Sequence, residues 1–109
     1  MEKVIKNGKV AVCISVGYGA GWSTWNDDEL AEKLLFHPSI VNAILSGHRE
    51  DIDEDWLAET LGDEYYGVYY GGAKQLMIEW LPEGTVFKVD KYDGAESIYI
   101  ISTETTFKA

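Results

Sequence analysis

The dipeptide Asp93-Gly94, set between two runs that alternate apolar and polar residues, constrains the fold of this chain more than any other feature. An Asp-Gly pair in that setting is typical of a two-residue β-hairpin turn. Pairing residues 85–92 with residues 95–102 sets one charge pair and two apolar pairs opposite each other: Lys91–Glu96, Val89–Ile98 and Phe87–Ile100. A shift by one residue would break all three pairs. The chain is therefore predicted to build an antiparallel sheet.

The beginning of the chain predicts a second hairpin. Residues 3–16 alternate like a strand, with β-branched residues on one face and small residues on the other. Asn7-Gly8 interrupts this run as a two-residue turn signal, and it would place Lys6 opposite Lys9. Two like charges that face each other across a strand pair are mildly unfavourable.

Three short helices are predicted between the two hairpins. Polar caps and a proline mark their starts and glycines mark their ends: Asn26–Glu29, Pro38 and Asp53 at the starts, Gly47 and Gly62 at the ends. A strand over residues 75–81 follows, so the order is β-β-α-α-α-β-β-β. This order predicts an α+β fold in a single domain over residues 1–109, with an antiparallel sheet of about five strands and the helices packed on one face.

The charge balance argues against direct binding of nucleic acid. The chain has 19 acidic and 9 basic residues and a formal net charge of −10, whereas a duplex-binding protein needs a basic face that displaces counterions. No apolar run approaches the ~20 residues that cross a bilayer, and residues 1–6 lack the apolar core of a signal peptide. With Cys13 as the one cysteine, no internal disulfide is expected. These features predict a cytoplasmic protein without a membrane partner.

The segment from Val16 to Asn26 predicts a binding loop, because it combines three glycines at alternate positions with aromatic rings and hydroxyls. The standard phosphate motifs are not met: Trp22 stands where G-x-G-x-x-G needs its third glycine, and no lysine follows Gly21 as in a P-loop. The predicted ligand-binding residues lie in this loop, with one downstream lysine as counter-charge: Tyr18, Gly19, Gly21, Trp22, Ser23, Thr24, Trp25 and Lys74. The alternative is a tight strand-to-helix loop whose tryptophans cover the core.

Two further clusters of residues each allow a functional and a structural interpretation. The aromatic run over residues 65–70 could stack on a nucleobase or lie half-buried in the protein. The acidic run over residues 50–55 could mimic a line of phosphates in a basic groove, or it could cap a helix and face solvent. Its predicted partner-binding residues are Asp51, Asp53, Glu54 and Asp55. Calcium binding is not expected there, because the spacing of an EF-hand loop is absent.

No catalytic residue is predicted. Cys13 lies in the middle of a predicted strand, where a thiol is usually structural. His37 precedes Pro38 and is expected to cap a helix, whereas His48 is expected to be exposed. Nothing in the spacing brings the cysteine to a histidine or builds a zinc site. We therefore expect a protein that is not an enzyme and that uses no metal and no cofactor.

Three segments of the chain stand out together: GYGAGWSTWN at residues 17–26, EWLPEGT at residues 79–85 and YDGAES at residues 92–97. Together they resemble a family of small accessory proteins encoded by phages and prophages. The likeness spans much of the chain, and no residue role is carried over from it. The resemblance implies a protein that acts inside a bacterial host and blocks its defence, either as an acidic decoy for a defence effector or by sequestering a nucleotide signal.

Two functions of different classes follow from these observations. The first is a non-enzymatic accessory protein that binds a small nucleotide-like ligand through the glycine-tryptophan loop, and self-association into a homo-oligomer could deepen that site. The second is an inhibitor whose acidic region over residues 51–64 occupies the basic groove of a host nuclease. Salt distinguishes them, because a complex of opposite charges weakens steeply with ionic strength, whereas binding by stacking changes less.

Overall fold

The computed structural model describes residues 3–17, 22–26, 28–62, 72–92, 95–100 and 107–109. Within these ranges, six strands form two antiparallel sheets of three strands each. The strands are β1 (Ile5–Lys6), β2 (Lys9–Ser15), β3 (Leu76–Pro82), β4 (Val86–Tyr92), β5 (Ala95–Ile100) and β6 (Phe107–Lys108). The first sheet has the order β1-β2-β3 and the second has the order β5-β4-β6.

Three α-helices lie between the second and third strands in the described ranges: α1 (Asp28–Phe36), α2 (Pro38–Leu45) and α3 (Glu54–Leu61). The α+β class is therefore confirmed. Short 3₁₀ turns cover Ser23–Trp25, Arg49–Asp51 and Ala73–Gln75.

The predicted caps account for the ends of α2 and α3. The Nδ1 atom of His37 accepts a hydrogen bond from the backbone N–H of Ser39 at 3.1 Å, and Pro38 takes the first helical position. The carboxylate of Asp53 accepts one from the N–H of Trp56 at 2.8 Å. Gly47 follows α2 with a φ of 82°, in the left-handed region where glycine is favoured.

Both predicted hairpins form in the predicted register. Lys6 lies opposite Lys9, and the turn between them takes a positive φ at Asn7 and Gly8, as a type I′ turn requires. In the second hairpin, β4 and β5 bring together the three predicted pairs: Lys91–Glu96, Val89–Ile98 and Phe87–Ile100.

The prediction of one sheet of about five strands is wrong, because the strands divide into two sheets. After β3 the chain turns at residues 82–85, where Gly84 has a φ of 89°. Beyond that turn β4 pairs with β5 and β6, and in the described ranges it does not extend the sheet of β3. The separation follows from β2, which is buried on both faces and so requires a covering layer on each side.

The two faces of β2 belong to two hydrophobic cores. Ala11 and Cys13 pack with buried residues of the helical layer, including Leu34 of α1 and Ile40 and Val41 of α2. On the opposite face, β-branched residues pack against the second sheet: Val10, Val12 and Ile14 meet Phe87 of β4. Helix α1 lies at the boundary, because Leu35 and Phe36 join this second core. Val16, predicted to continue the apolar face, lies beyond the end of β2 and is exposed.

Candidate functional site

The predicted stacking residue Trp22 is part of the core. Its side chain has no exposed surface and packs in the core between β2 and the helices. The indole Nε1–H donates a hydrogen bond to the backbone carbonyl of Leu34 at 3.0 Å. The prediction that Trp22 offers a ring face to a ligand is therefore wrong, since both the ring and its polar atom are used inside the protein.

A buried carboxylate holds the residues around this tryptophan. Glu96 of β5 is 4% exposed, and its Oε1 accepts a hydrogen bond from the backbone N–H of Ser15 at 3.0 Å. Its Oε2 accepts from the backbone N–H groups of Trp22 and Thr24, each at 3.0 Å, and from the Thr24 hydroxyl at 2.7 Å. Four donors thus converge on one carboxylate, three of them at Oε2, which is as many as a carboxylate has lone-pair positions.

Two more of the predicted ligand contacts, Thr24 and Ser23, are used or buried inside the protein. The hydroxyl and the N–H of Thr24 already donate to Glu96 and are not free for a ligand. The side chain of Ser23 is buried at 3% exposure, and its hydroxyl has no hydrogen-bond partner among the residues that the structure describes. The sequence paired Glu96 with Lys91 across the hairpin, and that register is right. However, the inward turn of the Glu96 carboxylate has no local sequence signal.

The remaining predicted contacts are placed only in part. Tyr18, Gly19, Gly21, the Trp25 side chain and the aromatic run over residues 65–70 lie outside what the structure describes. Lys74 is exposed on the 3₁₀ turn Ala73–Gln75. Gly17 does not take a positive φ; instead, a Cβ atom at Gly17 would overlap the side-chain amide of Gln75.

The acidic run is a solvent-facing segment with one structural member. Asp51 and Asp55 are exposed, and Asp51 lies 3.6 Å from the Nδ1 atom of His48. Asp53 is exposed as well, but one of its carboxylate oxygens accepts a hydrogen bond at the N-terminus of α3. Glu54 is half-buried. Arg49, the only arginine of the chain, donates to the backbone carbonyl of Leu76 at 2.7 Å.

Burial favours the neutral forms of the Cys13 thiol and the His37 imidazole. Burial raises the pKa of the Cys13 thiol to about 12, so the thiolate needed for nucleophilic attack is scarce at neutral pH. Burial, and then the nearby Lys33 ammonium, lower the pKa of His37. Among the described residues, no group of three or more His, Cys, Asp or Glu side chains could hold a metal ion.

A cleft of about 370 Å³ lies at the tip of the first hairpin and is lined by Lys6, Asn7, Lys9 and Trp80. Lys6 opposes Lys9, and on the other side of β2 Trp80 opposes Ala11. Opposed residues, and residues two apart on one strand, share a face of a sheet. The two ammonium groups and the indole ring therefore project from the same face of the sheet.

The cleft concentrates positive charge in an acidic protein. Lys6 and Lys9 are exposed, Trp80 is half-buried, and the Lys6 Nζ lies 5.8 Å from the centre of the indole ring. Glu79 alternates to the opposite face of β3. The backbone N–H of Glu83 donates to the carbonyl of Gly8 at 2.9 Å, which brings one exposed acidic residue to the rim.

Sequence reasoning found only half of this cleft. The Asn7-Gly8 turn predicted that the two lysines lie opposite each other, but the sequence indicated only that this pair is unfavourable and not that it lines a cleft. Trp80 joins them because β3 pairs with β2, and no turn signal links two strands so far apart in the chain. The sequence shows a tryptophan next to a glutamate in a predicted strand, but it does not indicate which residues the indole ring meets.

No protein-family model, no curated protein and no solved structure significantly matches this chain. In the part of the chain that the structure describes, no helix has the length and apolar character that a bilayer crossing requires.

Proposed function

We propose that this protein binds a small nucleotide-like anion in the cleft of Lys6, Lys9 and Trp80 and carries out no reaction on it. One observation carries the proposal: two ammonium groups and the face of a half-buried indole meet on one side of a sheet. An indole face can stack on any nucleobase, because every base has a flat π-face, and ammonium groups attract phosphate. The proposed ligand class is the predicted one, but its place moves away from Trp22.

The build of the cleft supports a small ligand rather than a polymer. Its volume of about 370 Å³ falls within the range of small-molecule sites. The hairpin turn fixes the backbone of Lys6 and Lys9 on adjacent strands, so the two charges remain side by side without a ligand. Such a pair is unfavourable by itself and is relieved when an anion binds between the lysines.

The test is to titrate the protein with AMP, cyclic di-AMP or cyclic ADP-ribose and to monitor binding by NMR or calorimetry. Lys9→Gln is expected to weaken binding about fivefold, as the loss of one exposed ion pair does. Lys88→Gln is the matched control, because Lys88 is an exposed lysine of β4 in the second sheet. Equal affinities of the two variants, or no response of the unaltered protein to any of the three ligands, would refute the proposal.

The glycine-tryptophan loop stays a second proposed contact for the same ligand class. This applies to Tyr18, Gly19, Gly21 and the Trp25 ring, which lie outside the described residues. Lys74→Gln separates the two places: it is expected to leave binding in the cleft unchanged, whereas a site at the loop with Lys74 as counter-charge would lose affinity.

The resemblance to small phage accessory proteins supports a biological role for such binding. A protein of this kind would act in the bacterial cytoplasm and sequester a nucleotide signal of host defence, alone or as a homo-oligomer. Mass spectrometry of small molecules released when the protein, purified from bacteria, is denatured tests this role. A nucleotide recovered in stoichiometric amount from the unaltered protein, and lost with Lys9→Gln, is the expected result.

The alternative function is inhibition of a basic host protein by the acidic run. The exposure of Asp51 and Asp55 favours it, because exposed carboxylates can reach a basic groove. Asp51→Asn combined with Asp55→Asn keeps the cap at Asp53 and leaves Glu54 in place, so folding is preserved. Loss of inhibition of a host nuclease by this double variant would support the alternative, and unchanged inhibition would exclude these two residues.

A further inference from the structure

The ring face of the cleft is not vacant in the free protein. The Lys6 Nζ lies 5.8 Å from the centre of the Trp80 ring, within the distance at which an ammonium is attracted to the electron-rich face of an indole. Lys6 sits directly before the turn, opposite Lys9, so its backbone has little freedom to carry the side chain away. An incoming flat ligand must therefore compete with Lys6 for the same face.

We propose that Lys6 makes the cleft selective for ligands that carry a negative charge, because it covers the Trp80 ring until an anion draws its ammonium away. This inference rests on the proposed function of the cleft. A neutral aromatic molecule has to displace the ammonium and offers it nothing in return. A nucleotide offers its phosphate, so the interaction that Lys6 loses at the ring is replaced by an ion pair.

Lys9 provides the matched comparison. Both lysines are exposed and line the same cleft, so replacing either one removes the same charge. The ammonium of Lys6 lies over the Trp80 ring. Lys9 lies opposite Lys6 in the hairpin, at the same distance from the turn. The two variants therefore differ in whether the ring is uncovered.

The experiment measures AMP and adenosine binding to the unaltered protein, Lys6→Gln and Lys9→Gln by NMR titration. We expect both variants to bind AMP more weakly. Lys6→Gln is expected to bind adenosine about two- to fivefold more tightly than the unaltered protein, which corresponds to the usual strength of an exposed cation–π contact. Lys9→Gln is expected to leave adenosine binding unchanged.

The outcomes separate this inference from the function on which it rests. If the unaltered protein binds AMP and both variants change adenosine binding equally, Lys6 is not the selective residue and the inference is overturned, while the proposed function stands. If neither AMP nor adenosine perturbs the Trp80 resonance in any of the three proteins, the cleft is not a binding site and both are overturned. Unchanged amide spectra away from the first hairpin confirm that the exposed substitutions leave the fold intact.

Discussion

At the scale of single residues, Glu96 explains why the most distinctive sequence motif is not an open surface. One carboxylate on the second sheet receives four donors from the segment that leaves β2. Backbone N–H groups at such a bend would otherwise be buried without partners, which costs free energy comparable to a lost hydrogen bond. The carboxylate thus stabilises the connection from which α1 starts, and it ties the two sheets together.

Replacing Glu96 is expected to destabilise the whole domain. In Glu96→Gln one carboxylate oxygen becomes an NH₂ group, which donates. Even when that group takes the place of Oε1, the buried N–H of Ser15 loses its acceptor and faces another donor. We expect the free energy of unfolding in urea to fall by about 2 kcal/mol or more. Glu79→Gln, an exposed glutamate of β3, is the control for the lost charge and should change stability by less than about 0.5 kcal/mol. Equal losses in both variants would contradict the role of Glu96.

The thiol of Cys13 is expected to be unreactive in the folded protein. It is buried in the centre of β2 with its pKa raised to about 12, so both access and thiolate content are low. A disulfide reagent at about pH 8 should modify no thiol until urea unfolds the chain. Fast stoichiometric modification under native conditions would show that β2 opens locally, and it would contradict the packing described here.

At the scale of the elements, local chemistry places most boundaries. The two hairpins form where an Asn-Gly and an Asp-Gly pair occur, and α2 and α3 begin at the capping residues that the sequence marks. These signals act over two to four residues, so they do not depend on which surface the element meets later. They leave open which strands pair with each other beyond a hairpin.

The start of α2 is expected to be sensitive to pH through His37. Burial and Lys33 lower the pKa of His37 in the folded state below its ordinary value of 6.5, so the unfolded chain binds the proton more tightly. Its contribution to stability is therefore present above about pH 6.5 and is lost as the pH falls through the lower pKa of the folded state. Protonation also removes the acceptor for the Ser39 N–H.

His37→Asn keeps a capping acceptor that does not titrate. Between about pH 7.5 and about pH 5.5, we expect the unaltered protein to lose up to about 1 kcal/mol more stability than this variant. Parallel curves for the unaltered protein and His37→Asn would show that the cap does not depend on this proton.

At the scale of the whole molecule, the first sheet is the central layer. Its β2 strand packs against helices on one face and against the second sheet on the other, so two cores share one strand. The second core contains an aromatic cluster: the rings of Phe36 of α1 and Phe87 of β4 meet edge to face at 6.1 Å, and Phe107 of β6 lies 5.8 Å from Phe87. The cleft of Lys6, Lys9 and Trp80 lies on the face of the first sheet that packs against the helices.

Phe87→Ala is expected to separate the second sheet from the first. Phe87 is fully buried between them, and removal of such a ring costs about 3 to 5 kcal/mol. Val86→Ala, at the exposed neighbouring position, should cost less than about 0.5 kcal/mol. Urea unfolding followed by near-ultraviolet circular dichroism measures both, and a loss below about 1 kcal/mol for Phe87→Ala would contradict a shared core.

The amino-acid sequence alone was sufficient for the α+β class, both hairpin registers and the caps of α2 and α3, because each depends on residues close together in the chain. It was also sufficient to place the small residues of β2 on one face and its β-branched residues on the other. The contacts that decide the sites come from distant segments. Glu96 reaches Ser15 over 81 positions, and Lys6 meets Trp80 through the pairing of β2 with β3.

Folding thus buried the tryptophan that the sequence predicted to contact a ligand and left another tryptophan partly open. Trp22, in the glycine-rich run, entered the core because α1 and β2 closed over it and Glu96 took the nearby donors. Trp80, in an ordinary strand, stayed half-buried and lines the cleft at the first hairpin. Burial depends on which layer covers a face of a sheet, and long-range packing sets that cover, whereas local composition does not.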